Sequence, residues 1–103
     1  MSVQRRDSAG WAVHPGEILR EEFMKPREMS SYHLAKKLHV STPTVNDIVL
    51  ERRAVTAETA VLLARYFGTT EQFWLNLQSA YDVYRTKQKL SRRLKLIKPL
   101  VAV

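Results

Sequence analysis

From Ser31 to Val49 the chain reads SYHLAKKLHVSTPTVNDIV, a spacing that offers hydrogen-bonding side chains to something outside the core. Leu34, Ala35 and Leu38 form one apolar stripe at helical spacing, Val40 follows, and Val45 and Ile48 make a second stripe three residues apart. Ala35 is small where a second helix must cross closely over the first. Val40-Ser41-Thr42 supplies a buried anchor and then N-cap residues that restart the helix. Two short helices crossing steeply, the second with a polar outer face, are the usual way to lay donors and acceptors against base edges in a DNA major groove. The plain alternative is an αα-hairpin inside a helical bundle, and the flanks of the segment favour DNA.

Other chemistry has little to stand on. His14, His33 and His39 show no ligand spacing, and there is no cysteine and no paired carboxylate set, so no metal is expected. No serine elbow, phosphate-binding glycine loop or acid–base pair with an orienting third group is present, which argues against an enzyme and against a cofactor. Lone serines and histidines read as caps and turn residues. Phe73, Trp74, Tyr81 and Tyr84 read as core and dimer contacts rather than a base-stacking platform, with Trp74 lying off the Phe73–Leu77 stripe and covering the first helix or a second subunit.

The elements that must position these side chains are all helical. Residues 1–13 read as a polar, flexible arm carrying Arg5-Arg6 and one large apolar anchor, Trp11. His14-Pro15-Gly16-Glu17 opens a first helix with Ile18, Leu19 and Phe23 inward, and Lys25-Pro26 stops it. Glu17, Glu21 and Glu22 leave a negative outer edge, either a plain solvated face or a docking surface for a basic partner. Ser30 or Ser31 caps the second helix, which ends near His39 in a left-handed conformation. Ser41 or Thr42 starts the third, with Pro43 tolerated in its first turn, and it ends near Leu50. Thr56 begins a fourth, with Ala60, Leu63, Ala64 and Phe67 on one face and Gly68 as its stop. Thr70-Glu71-Gln72 opens a fifth, with Phe73, Leu77, Ala80, Tyr81 and Tyr84 on its core side.

Length and charge narrow the class. The chain has 103 residues, enough for one domain, and no apolar run approaches the roughly 18 residues of a membrane span. A soluble cytoplasmic protein is the default, without membrane association. Residues 1–84 hold ten basic and ten acidic residues, while Arg85, Lys87, Lys89, Arg92, Arg93, Lys95 and Lys98 follow with no acid after Asp82. The whole net charge of +7 therefore belongs to the C-terminal segment. Residues 88–103 form a basic tail in which Leu90, Leu94, Ile97 and Val101 fit a helix, while Leu94-Lys95-Leu96 and LVAV would also suit a strand. A tail this apolar and basic docks on its own domain, crosses to a second subunit, or binds an anionic surface.

HPGEILREEF, the helix-turn-helix, ERRAVTAETAVLLARYFGTT and EQFWLNLQSAYDVY together resemble the HigA/VapI-type antitoxins of bacterial toxin–antitoxin modules, within the Xre/Cro/C1 helix-turn-helix class. The resemblance runs from about His14 to Lys87, and FWLNLQ after FGTT is its most specific phrase. It implies an all-α, five-helix, lambda-repressor-like helix-turn-helix domain over residues 14–87, with the arm before it and the basic extension after it. It also implies a homodimer that binds a palindromic operator in double-stranded DNA, represses its own operon and neutralises a partner toxin, commonly a RelE-like ribonuclease.

Carried over by position, Ser31 stands where the class often holds a DNA phosphate with the start of the second helix. Ser41 begins the recognition helix, and Thr42, Pro43, Thr44, Asn46 and Asp47 occupy its outer face. Arg52 and Arg53 match the basic pair after it, while Glu17, Glu21 and Glu22 would face the toxin. Thr42 and Pro43 stand where Gln or Arg is frequent, and Leu50-Glu51 where Asn-Gly is common. Asp47 replaces a frequently basic residue, to accept from a cytosine amino group or to repel phosphate. Asn46 is left as the side chain able to read adenine bidentately, with Thr42 and Thr44 for phosphate or a thymine methyl. Two other readings remain: a stand-alone Xre-like regulator without a toxin, and a protein- or RNA-interaction module acting through its basic tail.

Overall fold

Short polar side chains take free backbone N–H groups at the start of four helices, and an imidazole does so at a fifth. In the computed structural model, which describes residues 12–101, Ser30 accepts from the His33 amide (3.0 Å) and Ser41 from that of Thr44 (3.4 Å). Thr56 accepts from Thr59 (3.4 Å) and Thr70 from Phe73 (3.0 Å). His14 does the same with an imidazole, its Nδ1 accepting from the Gly16 amide at 2.8 Å. Each bond satisfies a donor that the helix cannot pair internally.

The helices run in the order α1 (residues 15–27), α2 (Ser31–Leu38), α3 (Thr42–Val49), α4 (Ala57–Phe67), α5 (Glu71–Lys89) and α6 (Ser91–Leu96), with no strand among the described residues. The arm over residues 1–13, with Arg5, Arg6 and Trp11, lies outside the described residues apart from Ala12 and Val13. α1 is regular over Pro15–Ile18, widens to π geometry over Leu19–Met24, and tightens to a 3-10 turn over Lys25–Arg27. It therefore runs past Lys25-Pro26, the expected stop. Pro26 sits in the first turn of that tight segment, where its missing N–H does least harm, and Glu28 ends it in left-handed backbone at φ 51°. His39 and Gly68 close α2 and α4 at φ 59° and 77°, as expected.

Leu19, Leu34, Val45, Ile48, Leu63 and Trp74 form the centre of one core, joined by Ala35, Ala60 and Ala64 where helices approach closely. α5 turns a different face inward from the expected one. Its buried residues are Trp74 and Gln78, while Phe73 and Ala80 are exposed and Leu77, Tyr81 and Tyr84 are half-buried. Trp74 lies between α1 and α5, its ring 5.1 Å from that of Phe23 and its indole N–H donating to Thr69 Oγ1 at 2.8 Å. Gln78 is tolerated inside because its Oε1 accepts from the Val55 amide (2.7 Å) and its Nε2 donates to Asp82 (2.9 Å).

The tail is helical over Ser91–Leu96, extended at Ile97 and irregular after it, so the strand reading fails for its described part. Leu96, Ile97, Leu100 and Val101 are exposed. Among the described residues no helix is long and apolar enough to cross a membrane, and no cluster of three or more acidic or imidazole groups could hold a metal ion.

His14 is the buried titratable group of this frame, edge-on to the Tyr81 ring at 4.9 Å. Burial pushes its pKa below the ordinary 6.5, outweighing attraction from Glu51 and Asp82. The neutral ring is the form that caps α1. The unfolded chain thus binds more protons once pH falls below about 6.5. Stability should be complete above that value and decline as pH drops from it toward the depressed folded pKa. Urea titrations at pH 7.5 and 5.5 should show this loss, and His14→Asn, which keeps a cap but does not titrate, should reduce it.

Candidate nucleic-acid interface

α3 is held from behind by α1. A Cβ added to Gly16 would lie 1.8 Å from the Ile48 carbonyl oxygen, so the two backbones are in direct contact there. One turn on, Arg20 reaches across to the end of α3, donating from Nη1 to the Val49 carbonyl and from Nη2 to Glu51 (3.3 Å). Its Nε donates to Glu21 at 3.0 Å. Val45, Ile48 and Val49 face this support, which fixes the opposite face of α3 outward.

The outward face carries a single stripe, Pro43, Asn46 and Leu50, at helical spacing. Pro43 and Leu50 are exposed, and Asn46 between them is half-buried because Ser31, at the start of α2, donates from Oγ to Asn46 Oδ1 at 3.1 Å. The structure therefore brings together two residues predicted separately, and Asn46 is less open than an outer-face position implies. That carbonyl retains a second lone pair, and its amide nitrogen has no bonding partner among the described residues. Thr42 and Thr44 are also half-buried, and the Thr44 hydroxyl lies 2.7 Å from that of Ser41.

Asp47 is paired within its own chain. Its two carboxylate oxygens are engaged by the arginines after the helix, Oδ1 by Arg52 (3.1 Å) and Oδ2 by Arg53 (3.6 Å). It anchors the basic pair beside the end of α3, where Glu51 takes left-handed backbone at φ 63°.

The acidic edge of α1 is likewise less open than expected. Lys25 Nζ sits 3.1 Å from both Glu21 oxygens, and with Arg20 it holds the Glu21 carboxyl below the ordinary glutamate value, Arg20 being the larger cause. Glu17 and Glu22 are half-buried. These three residues lie on a different element from the α3 stripe and are not brought to it. Sequence reasoning passed over Leu50 and Arg20. Leu50 stands seven residues after Pro43 and was detectable by that spacing; nothing local marked Arg20, whose partners are about thirty residues away.

The helix-turn-helix family matches residues 21–74. Virulence-associated protein I of Dichelobacter nodosus is 52% identical over 100 residues, covering 97% of this chain and 92% of its own length. Antitoxin HigA-1 of Vibrio cholerae is 36% identical over 88 residues, covering 85% and 83% respectively. The solved structure of Pseudomonas aeruginosa antitoxin HigA with the higBA promoter superposes at a TM-score of 0.84 and 47% identity, covering 86% of this chain and 98% of that one.

Proposed function

This chain belongs to the helix-turn-helix family alongside the HigA- and VapI-type antitoxins, and from that premise we propose a DNA-binding repressor of its own operon that also neutralises a toxin. The observation that carries the reading is α3 itself, packed on α1 by its inner face and presenting Pro43, Asn46 and Leu50 outward. In this reading α3 enters the major groove and Asn46 reads adenine. Ser31, Ser41, Thr42 and Thr44 line the neighbouring backbone, and Arg52 and Arg53 contact phosphate with Asp47 setting their direction. Nothing in the arrangement calls for a metal or cofactor, and the work is binding rather than catalysis.

The exposed apolar residues Val83, Leu94, Leu96 and Ile97 support a homodimer, whose two α3 helices would lie one DNA turn apart, about 34–36 Å, over a near-palindrome. The toxin would be a small basic RelE-like ribonuclease meeting Glu17, Glu21 and Glu22, in competition with Arg20 and Lys25 for Glu21. A repressor of this kind acts in the cytoplasm, where the chromosome is.

Fluorescence anisotropy with a DNA fragment from upstream of the coding sequence, against a scrambled fragment, tests the DNA reading. The expected result is preference for the native fragment. Replacing both Arg52 and Arg53 with alanine should lower the slope of log K against log salt by about 1.8, since each phosphate contact contributes roughly 0.9. An unchanged slope removes the arginines from the interface. For the toxin, affinity capture from the native host should return a stoichiometric small basic protein that arrests growth when expressed alone. Its absence, with DNA binding intact, leaves a solitary regulator.

A further inference from the structure

Resting on the DNA-binding reading, we infer that Pro43 and Leu50 are specificity-determining residues that read thymine methyl groups on either side of the base pair read by Asn46. Leu50 is 49% exposed, whereas its neighbours Ile48 and Val49 are buried at 1% and 8%. It is not a frayed end. The Leu50 amide donates to the Asn46 carbonyl at 2.9 Å, so the residue stays on the helical path and on the stripe begun by Pro43. Beyond it the chain leaves in the left-handed turn at Glu51. An aliphatic side chain and a pyrrolidine ring thus bracket one amide on the face directed at the groove.

Neither side chain carries a donor or acceptor. Against guanine, cytosine or adenine edges each would displace water and return no hydrogen bond, an unfavourable exchange. Thymine differs, because it presents a C5 methyl in the major groove that apolar atoms can cover. The threonines are poorer candidates, being half-buried, with Thr44 turned toward Ser41. Seven residues of helix advance about 10.5 Å, and base steps are about 3.4 Å, so the two methyls belong to base pairs about three apart. The half-site therefore has a thymine-bearing pair at each end of a short window with adenine within it.

The test removes methyls and nothing else. The full-length protein is used to select its best-bound duplex from a randomised library, and each thymine of that duplex is then replaced singly by uracil. Two positions about three base pairs apart in each half-site should each weaken binding about 4-fold, the effect of uncovering one methyl. Leu50→Ala should make one of the two positions indifferent to the methyl while leaving the other sensitive, and Pro43→Ala should do the converse. A flat uracil profile with sequence preference intact overturns the inference and leaves DNA binding standing. Full methyl sensitivity at both positions in Leu50→Ala overturns it equally. If no duplex is preferred, both readings fall together.

Discussion

Alanine in place of Trp74 is expected to destabilise the fold by about 3–5 kcal/mol, a large part of the roughly 5–15 kcal/mol available to a domain of this size. Trp74 is 0% exposed and, among the described residues, is the largest side chain buried so completely. Its ring contacts Phe23 from α1 and Phe73 from its own helix, at 5.1 and 5.0 Å between centroids. Removing it leaves a void where α1 meets α5 and takes away the donor to the Thr69 hydroxyl, which keeps its own bond to the Thr70 carbonyl. Because α1 also backs α3, DNA binding should fail in proportion to the unfolded fraction. Urea denaturation of wild type, Trp74→Ala and Trp74→Phe gives the comparison, with the phenylalanine variant losing much less. A loss under about 1.5 kcal/mol for the alanine variant would fall outside the range for such truncations and place Trp74 at the margin of the core.

Gly16→Ala is the second large effect, and it acts through backbone rather than volume. The added methyl would meet the Ile48 carbonyl oxygen at 1.8 Å and the carbonyl carbon at 2.9 Å, atoms that cannot rotate aside. Relief requires α1 and α3 to separate. The cost should reach or exceed the roughly 1–3 kcal/mol of ordinary overpacking. The separation also moves the helix that carries Asn46 and Leu50, so affinity for the upstream DNA fragment should drop even under conditions where circular dichroism shows the variant folded. Gly68→Ala is the control. Nothing lies within 4 Å of its added methyl, yet φ is +77°, so strain of about 1–2 kcal/mol is expected with DNA preference unchanged. If Gly16→Ala binds the fragment as wild type does, α3 does not depend on the contact with α1.

The features readable in the sequence are those fixed by near neighbours. A cap needs only a serine or threonine and an amide three residues on, so Thr56 and Thr70 could be assigned and the other two narrowed to Ser30 or Ser31 and Ser41 or Thr42, as could the left-handed closures at His39 and Gly68. The apolar stripes of α2, α3 and α4 were legible for the same reason. α5 misled because its aromatic residues occupy adjacent faces, and because the true inner face has a glutamine one turn after Trp74. Gln78 looks like a surface residue until Val55, 23 positions away, is seen to donate to it. The candidate site divides the same way. Asn46 was identifiable as a side chain suited to reading bases, but its contact with Ser31 depends on how α2 crosses α3. The engagement of Asp47 with Arg52 and Arg53 is local, and could be suspected from charge alone; the turn at Glu51 that brings the arginines back to it could not.

Helix ends are where native structure opens first, because the last carbonyls have no partner within the helix. At the end of α3 that weakness is met from another element, since Arg20 of α1 holds the Val49 carbonyl and the Glu51 carboxylate together. The same guanidinium also holds Glu21 on the outer edge of α1. Fraying of α3 is consequently not a property of that helix alone. Its last turn is tied to α1 through one guanidinium, and taking Arg20 away should loosen it.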